Sequence, residues 1–120
     1  MPYVEGKVPG FAYGLGFIQG AGEPGQAVKL VDDDLFAVNG TPADRSFGIL
    51  VNRYADGEMC AVYCEGGIYE TDQVVGEPTA NDMLACDADT GLLKSAGQGE
   101  FPVAQTISFV AGVLRFKLLV

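Results

Sequence analysis

A chain of 120 residues, 48% hydrophobic and 19% charged, fits one domain with a real core. Its net charge of −9, with seven Lys and Arg that do not cluster, argues against a nucleic-acid or anionic-membrane partner, and no apolar run reaches membrane-spanning length. Three cysteines without any histidine leave no disulfide framework, no Cys/His zinc site and no imidazole-based triad.

In chain order, residues 1–25 stand apart. Gly recurs at positions 6, 10, 14, 16, 20, 22 and 25, with Tyr3, Phe11, Tyr13 and Phe17 between them. So many glycines discourage regular structure, yet the aromatics are unusual for a solvated tail. Two readings are open: a flexible leader, or an extended arm that lays Tyr3, Phe11, Tyr13 and Phe17 on a partner surface. The run Gly20-Ala-Gly-Glu-Pro-Gly25 fits the glycine spacing of a dinucleotide-binding loop, but Pro24 and a strand-like segment follow it where a helix should open. The N-terminus lacks a basic start and a continuous apolar stretch, which predicts folding in the cytoplasm.

Residues 26–120 read as one β-domain. Gln26–Val31 and Leu35–Asn39 form a first hairpin around Asp32-Asp33-Asp34, a solvated turn without the ligand spacing of a calcium loop. Phe47–Glu70 is the expected centre of the fold. It holds two apolar runs joined at Asp56-Gly57, a favoured hairpin dipeptide, and then a third short run after Gly66-Gly67. Met59–Cys64 is apolar on both faces. That pattern suggests a strand facing the core on one side and, through Met59, Ala61 and Tyr63, a sister subunit on the other. Cys60 and Cys64, on one face of that strand about 13 Å apart at about 3.3 Å per residue, are too distant to pair and read as buried thiols.

Asp82–Cys86 and Leu92–Ser95 form a further hairpin around Asp87–Gly91. There Asp89-Thr90-Gly91 is the triplet of aspartic proteases, so an aspartic hydrolase using Asp89 has to be weighed. Those enzymes face two such loops so that paired carboxylates share a proton. Here one triplet lies in an acidic segment with the spacing of an ordinary β-turn. The chain ends with Val103–Val110, Ala111-Gly112 and Val113–Val120. In the last run Leu114, Phe116, Leu118 and Val120 point inward and alternate with Arg115 and Lys117. Its place at the C-terminus suggests that it closes the sheet or barrel. The fold class is therefore all-β, with little helix, and no cofactor or metal is expected.

The order of segments resembles the head decoration, or capsid cement, proteins of tailed bacteriophages. The matching stretches are Phe47-Gly48-Ile49, Gly57–Val62, Gly67–Glu70, Asn81–Leu84, Asp87–Leu92 and Gly112–Leu118. Together they span roughly residues 26–120. The chain departs from the pattern at Asn81, where Gly is usual, and at Pro102-Val103-Ala104. The resemblance implies a small antiparallel β-barrel or sandwich, β-tulip-like, with an N-terminal arm. It also implies a non-enzymatic structural virion protein made in the bacterial host cytoplasm. Such a protein binds the major capsid protein on the outer surface of the assembled shell, as a homotrimer at three-fold or quasi-three-fold positions. A tail or fibre β-module and a small-ligand-binding barrel are the other readings.

Overall fold

A computed structural model describes residues 2–120. Eleven strands build an all-β protein, with no α-helix among the described residues: β1 (Val4–Val8), β2 (Phe11–Ile18), β3 (Ala27–Asp32), β4 (Leu35–Val38), β5 (Gly48–Leu50), β6 (Met59–Cys64), β7 (Ile68–Thr71), β8 (Met83–Cys86), β9 (Leu93–Ser95), β10 (Ala104–Val110) and β11 (Val113–Leu118). Five of them close a barrel in the order β2-β4-β3-β5-β6, and the other six form an open sheet in the order β1-β7-β11-β10-β8-β9.

Two short hairpins are where the turn residues put them. β3 pairs antiparallel with β4 across the Asp32–Asp34 turn, and Asp34 takes a positive φ of 51°, which Asp tolerates better than most side chains. β8 pairs with β9 across the Asp87–Gly91 turn. The Asp87 carboxylate organises that turn. It accepts from Thr90 Oγ1 at 2.9 Å, from the Thr90 amide at 3.0 Å and from the Asp89 amide at 3.2 Å. These bonds, led by the Thr90 hydroxyl, hold its carboxyl below the ordinary aspartate range.

Each sheet has its own core. Inside the barrel, Ile18, Val28, Phe36, Leu50, Cys60 and Val62 are buried, with Tyr13, Phe47 and Tyr54 packed against them. The open sheet buries Tyr69, Leu84, Leu93, Val103, Ala104, Leu114, Phe116 and Leu118. Ile49 and Tyr63 join the two. They are register partners on β5 and β6, and they belong to the core of the open sheet rather than to the barrel interior. The outer wall of the barrel at β5–β6 is thus covered by the open sheet, with the Tyr63 ring 4.4 Å from that of Tyr69.

Several expectations are corrected by this topology. Residues 2–25 are not an arm separate from the domain: β1 pairs with β7, and β2 pairs with β6 and, in parallel, with β4. The barrel is closed by β2, from the segment read as a leader, and not by the C-terminal strand. β11 instead lies inside the open sheet between β7 and β10, although its alternation is as read, with Leu114, Phe116 and Leu118 buried. The Phe47–Glu70 segment also divides. β5 and β6 pair with each other, whereas β7 crosses to the other sheet beside β1 and β11. Side by side, the chain crosses between the sheets at Gly10 and at Gly66-Gly67, so close that a Cβ on Gly10 would collide with the Gly66 carbonyl.

Glu70 ties the open sheet together on its outer face. It is the register partner of Glu5 on β1 and Arg115 on β11. Its carboxylate accepts from Arg115 at 2.6 and 3.0 Å and pairs with Lys7 at 3.2 Å. The Arg115 guanidinium first, then Lys7, depresses its carboxyl below the ordinary value of 4.5. A depressed acid stabilises the fold fully above its unfolded pKa, and the contribution fades as pH falls through the folded value. The melting temperature of the wild type should therefore exceed that of Glu70→Gln at neutral pH, and the two should converge as pH drops below about 4.5. A gap that persists unchanged at acid pH would assign the loss to geometry and not to charge.

Candidate interaction surface

Where the open sheet does not cover the barrel, the outer wall includes β2, β4, β3 and the start of β6. A single row of side chains crosses it. Met59 on β6 is the register partner of Phe17 on β2, Phe17 that of Leu35 on β4, and Leu35 that of Asp32 on β3. Partnered residues share a face, and the inward neighbours Ile18 and Phe36 are themselves partners, both fully buried. Met59 is 54% exposed and Phe17 45%, while Leu15, two residues before Phe17, is 71% exposed. These are large apolar side chains facing solvent together, an arrangement that marks interaction surfaces more often than isolated exposed residues do.

A bulge in β2 produces this row. The register with β6 shifts between Tyr13 and Gly16. N-terminal to the shift, Tyr13 partners Val62 and turns inward. Its ring meets Phe36 edge-on at 5.9 Å and Phe47 at 5.7 Å, and its hydroxyl donates to Asp34. Beyond the shift, Gly16 faces inward where any Cβ would collide with the Phe36 ring. Phe17 then points out. One inserted residue thus moves the next aromatic to the opposite face of the wall.

The residues expected on a docking arm therefore have different fates. Tyr3 is half-buried: its amide donates to Asp72 at 3.0 Å and its carbonyl accepts from Thr71 Oγ1 at 2.7 Å. Tyr13 is half-buried and packs against the barrel core. Phe11 is 66% exposed, on the partner position of Cys64. Phe17 is on the row. Of the expected subunit-interface residues, Tyr63 is committed to the contact with Tyr69, and Ala61 is half-buried with its amide donating to Tyr54 Oη at 3.0 Å. Only Met59 is open, directly beside Phe17. Leu15, Leu35 and Asp32 complete the surface and were not singled out by sequence. Asp89 is exposed in the turn that Asp87 organises.

Carboxylates frame the row. Asp32, Asp33 and Asp34 lie at its β3 end, and Asp56 and Glu58 lie beside Met59. Some of their oxygens accept local amides, Asp56 from Gly20 at 2.7 Å and Asp32 from Asp33 at 2.8 Å. Ion pairs in the molecule join other residues: Lys29 to Asp44 at 2.7 Å, Arg53 to Glu23 at 2.9 Å, Lys94 to Glu100 at 2.6 Å, and Lys7 and Arg115 to Glu70. Among the described residues, no ion pair involves a carboxylate of this frame.

Among the described residues, no group of three or more His, Cys, Asp or Glu is placed to hold a metal ion. All three cysteines are buried free thiols, and burial pushes each of them up from its ordinary pKa. The barrel interior is filled by its own side chains, and a shallow depression lined by Tyr13, Leu30, Phe36, Phe47 and the Asp32–Asp34 turn opens at its mouth. No protein-family model matches the chain, and no curated protein matches it.

Proposed function

We propose that this protein is a capsid decoration protein, binding the outer surface of an assembled phage head and stiffening it as trimers around local three-fold positions. The observation that carries the reading is how the family-like stretches distribute over the fold. Phe47-Gly48-Ile49 enters β5, Gly57–Val62 leads through β6, Gly67–Glu70 is β7, Asn81–Leu84 opens β8, Asp87–Leu92 is the β8–β9 turn and Gly112–Leu118 is β11. Each stretch is a strand or the turn that sets its register.

Two positions give that match physical content. A Cβ on Gly48 would collide with the carbonyl of Tyr63, so the β5–β6 approach requires glycine. Asn81, which stands where the family has Gly, has a φ of 75°, a left-handed conformation that Gly adopts freely and Asn better than other side chains. The departure is thus a substitution of the kind the backbone allows. An acidic protein also suits the outside of a shell better than the side facing packaged DNA. Modest contacts repeated around a symmetric shell add up to tight retention.

Pelleting with phage heads assembled without this protein, and separately with purified tails, tests the reading. It should pellet with heads and not with tails. Binding to tails alone would move it to the tail, and binding to neither would end the virion reading.

A further inference from the structure

We infer that the row Met59–Phe17–Leu35, with Leu15, is the face that grips another protein, and that the gripped segment carries apolar side chains flanked by Lys or Arg. Under the reading proposed above, that partner is the capsid protein. By sequence, Phe17 belongs to an arm laid on a partner surface and Met59 to a contact between copies. The two are register partners on neighbouring strands, so whatever covers one covers the other.

Charge decides the occupant. The row ends on Asp32, with Asp33 and Asp34 in the adjoining turn and Asp56 and Glu58 beside Met59, and no ion pair neutralises any of these five carboxylates among the described residues. The cations around the row are already engaged: Lys29, opposite Ala37, is held by Asp44 at 2.7 Å, and Arg53, which shares a groove with Glu58, is held by Glu23 at 2.9 Å. A two-fold pairing of this face with itself would stack acidic frame on acidic frame between molecules that each carry a net charge of −9. A segment with an apolar centre and basic flanks satisfies both the row and its frame. β4 and β6 hold β2 on either side, so the surface is built before the partner arrives, which lowers the ordering cost of binding.

The test uses the full chain, isotope-labelled, titrated with a peptide of alternating Leu and Lys and with its Leu/Glu counterpart, followed by amide shifts. The Leu/Lys peptide should perturb amides around Leu15, Phe17, Leu35 and Met59. The Leu/Glu peptide should leave them unmoved. Both row side chains face solvent, so the Phe17→Ser, Met59→Ser double variant should keep a folded spectrum and bind at least about tenfold more weakly. Shifts elsewhere, equal binding of the acidic peptide, or an unchanged double variant would each overturn the inference. Pelleting separates the two claims. Heads that pellet wild type and double variant alike would overturn this face while leaving capsid binding intact. A wild type that ignores heads while its peptide shifts still map to the row would overturn capsid binding and support the face.

Discussion

Deletion of residues 1–20 will abolish cooperative unfolding of the whole chain. The deleted stretch includes all of β2, which holds the barrel closed between β4 and β6, and β1, which caps the open sheet on β7. It removes Ile18, fully buried in the barrel core, and Tyr13, which packs on Phe36 and Phe47. Losing a buried Ile alone costs about 2–5 kcal/mol, and the lost β2 and β1 ladders add to it. Small domains hold only about 5–15 kcal/mol in total. Urea and thermal melts followed by circular dichroism should show no single transition for the truncated chain. A transition as sharp as that of the full chain would mean that the barrel does not need β2. One consequence is practical: truncation cannot separate binding from folding here, whereas exposed substitutions at Phe17 and Met59 can.

Phe36→Ala should be the most damaging single core substitution in the barrel. The side chain is fully buried, with the Tyr13 ring at 5.9 Å and the Phe47 ring at 5.1 Å, and Gly16 is packed against it so closely that no Cβ fits there. Surroundings this tight collapse poorly into a void, so the expected loss is about 3–5 kcal/mol. Phe36→Leu, which keeps most of the volume, should cost clearly less. Urea melts should show a lower midpoint at unchanged slope, since the exposed surface stays about the same. A loss below about 1 kcal/mol would show that the barrel interior is not close-packed around this ring.

Most strands after residue 26 were legible because their signals are local. The Asp32–Asp34 and Asp87–Gly91 turns pin two hairpins, and the alternation from Val113 gives one face of β11. Topology was less legible. Nothing within Ile68–Thr71 says that it leaves its neighbour β6 to pair with β1 and β11. Pairing between distant segments depends on surfaces that only the assembled sheets create. The doubly apolar run Met59–Cys64 suggested a core face and a face for a sister subunit; Cys60, Val62 and Cys64 are the buried set, while on the other face Tyr63 packs on the chain's own open sheet and Met59 is exposed.

The N-terminal strand was misread for a definite reason. Phe11, Tyr13, Leu15 and Phe17 alternate with small residues, Ala12, Gly14 and Gly16, and the glycines suggested a chain without fixed structure. Gly16 is there because Phe36 fills the space of its side chain. The bulge between Tyr13 and Gly16 then breaks the parity of the pattern, so Tyr13 packs against the core while Phe17 faces solvent. A one-residue irregularity leaves no mark in composition or period, yet it creates the candidate surface. Phe17 and Met59 were thus read as parts of two separate surfaces, whereas the fold makes them register partners.

A reconstruction of phage particles exposed to this chain tests the proposed capsid decoration most directly. The account predicts density for the barrel and open sheet outside the shell, grouped around local three-fold positions, with the Phe17–Met59 row against the capsid protein. Density on the tail, inside the shell, or absent from the virion would contradict it.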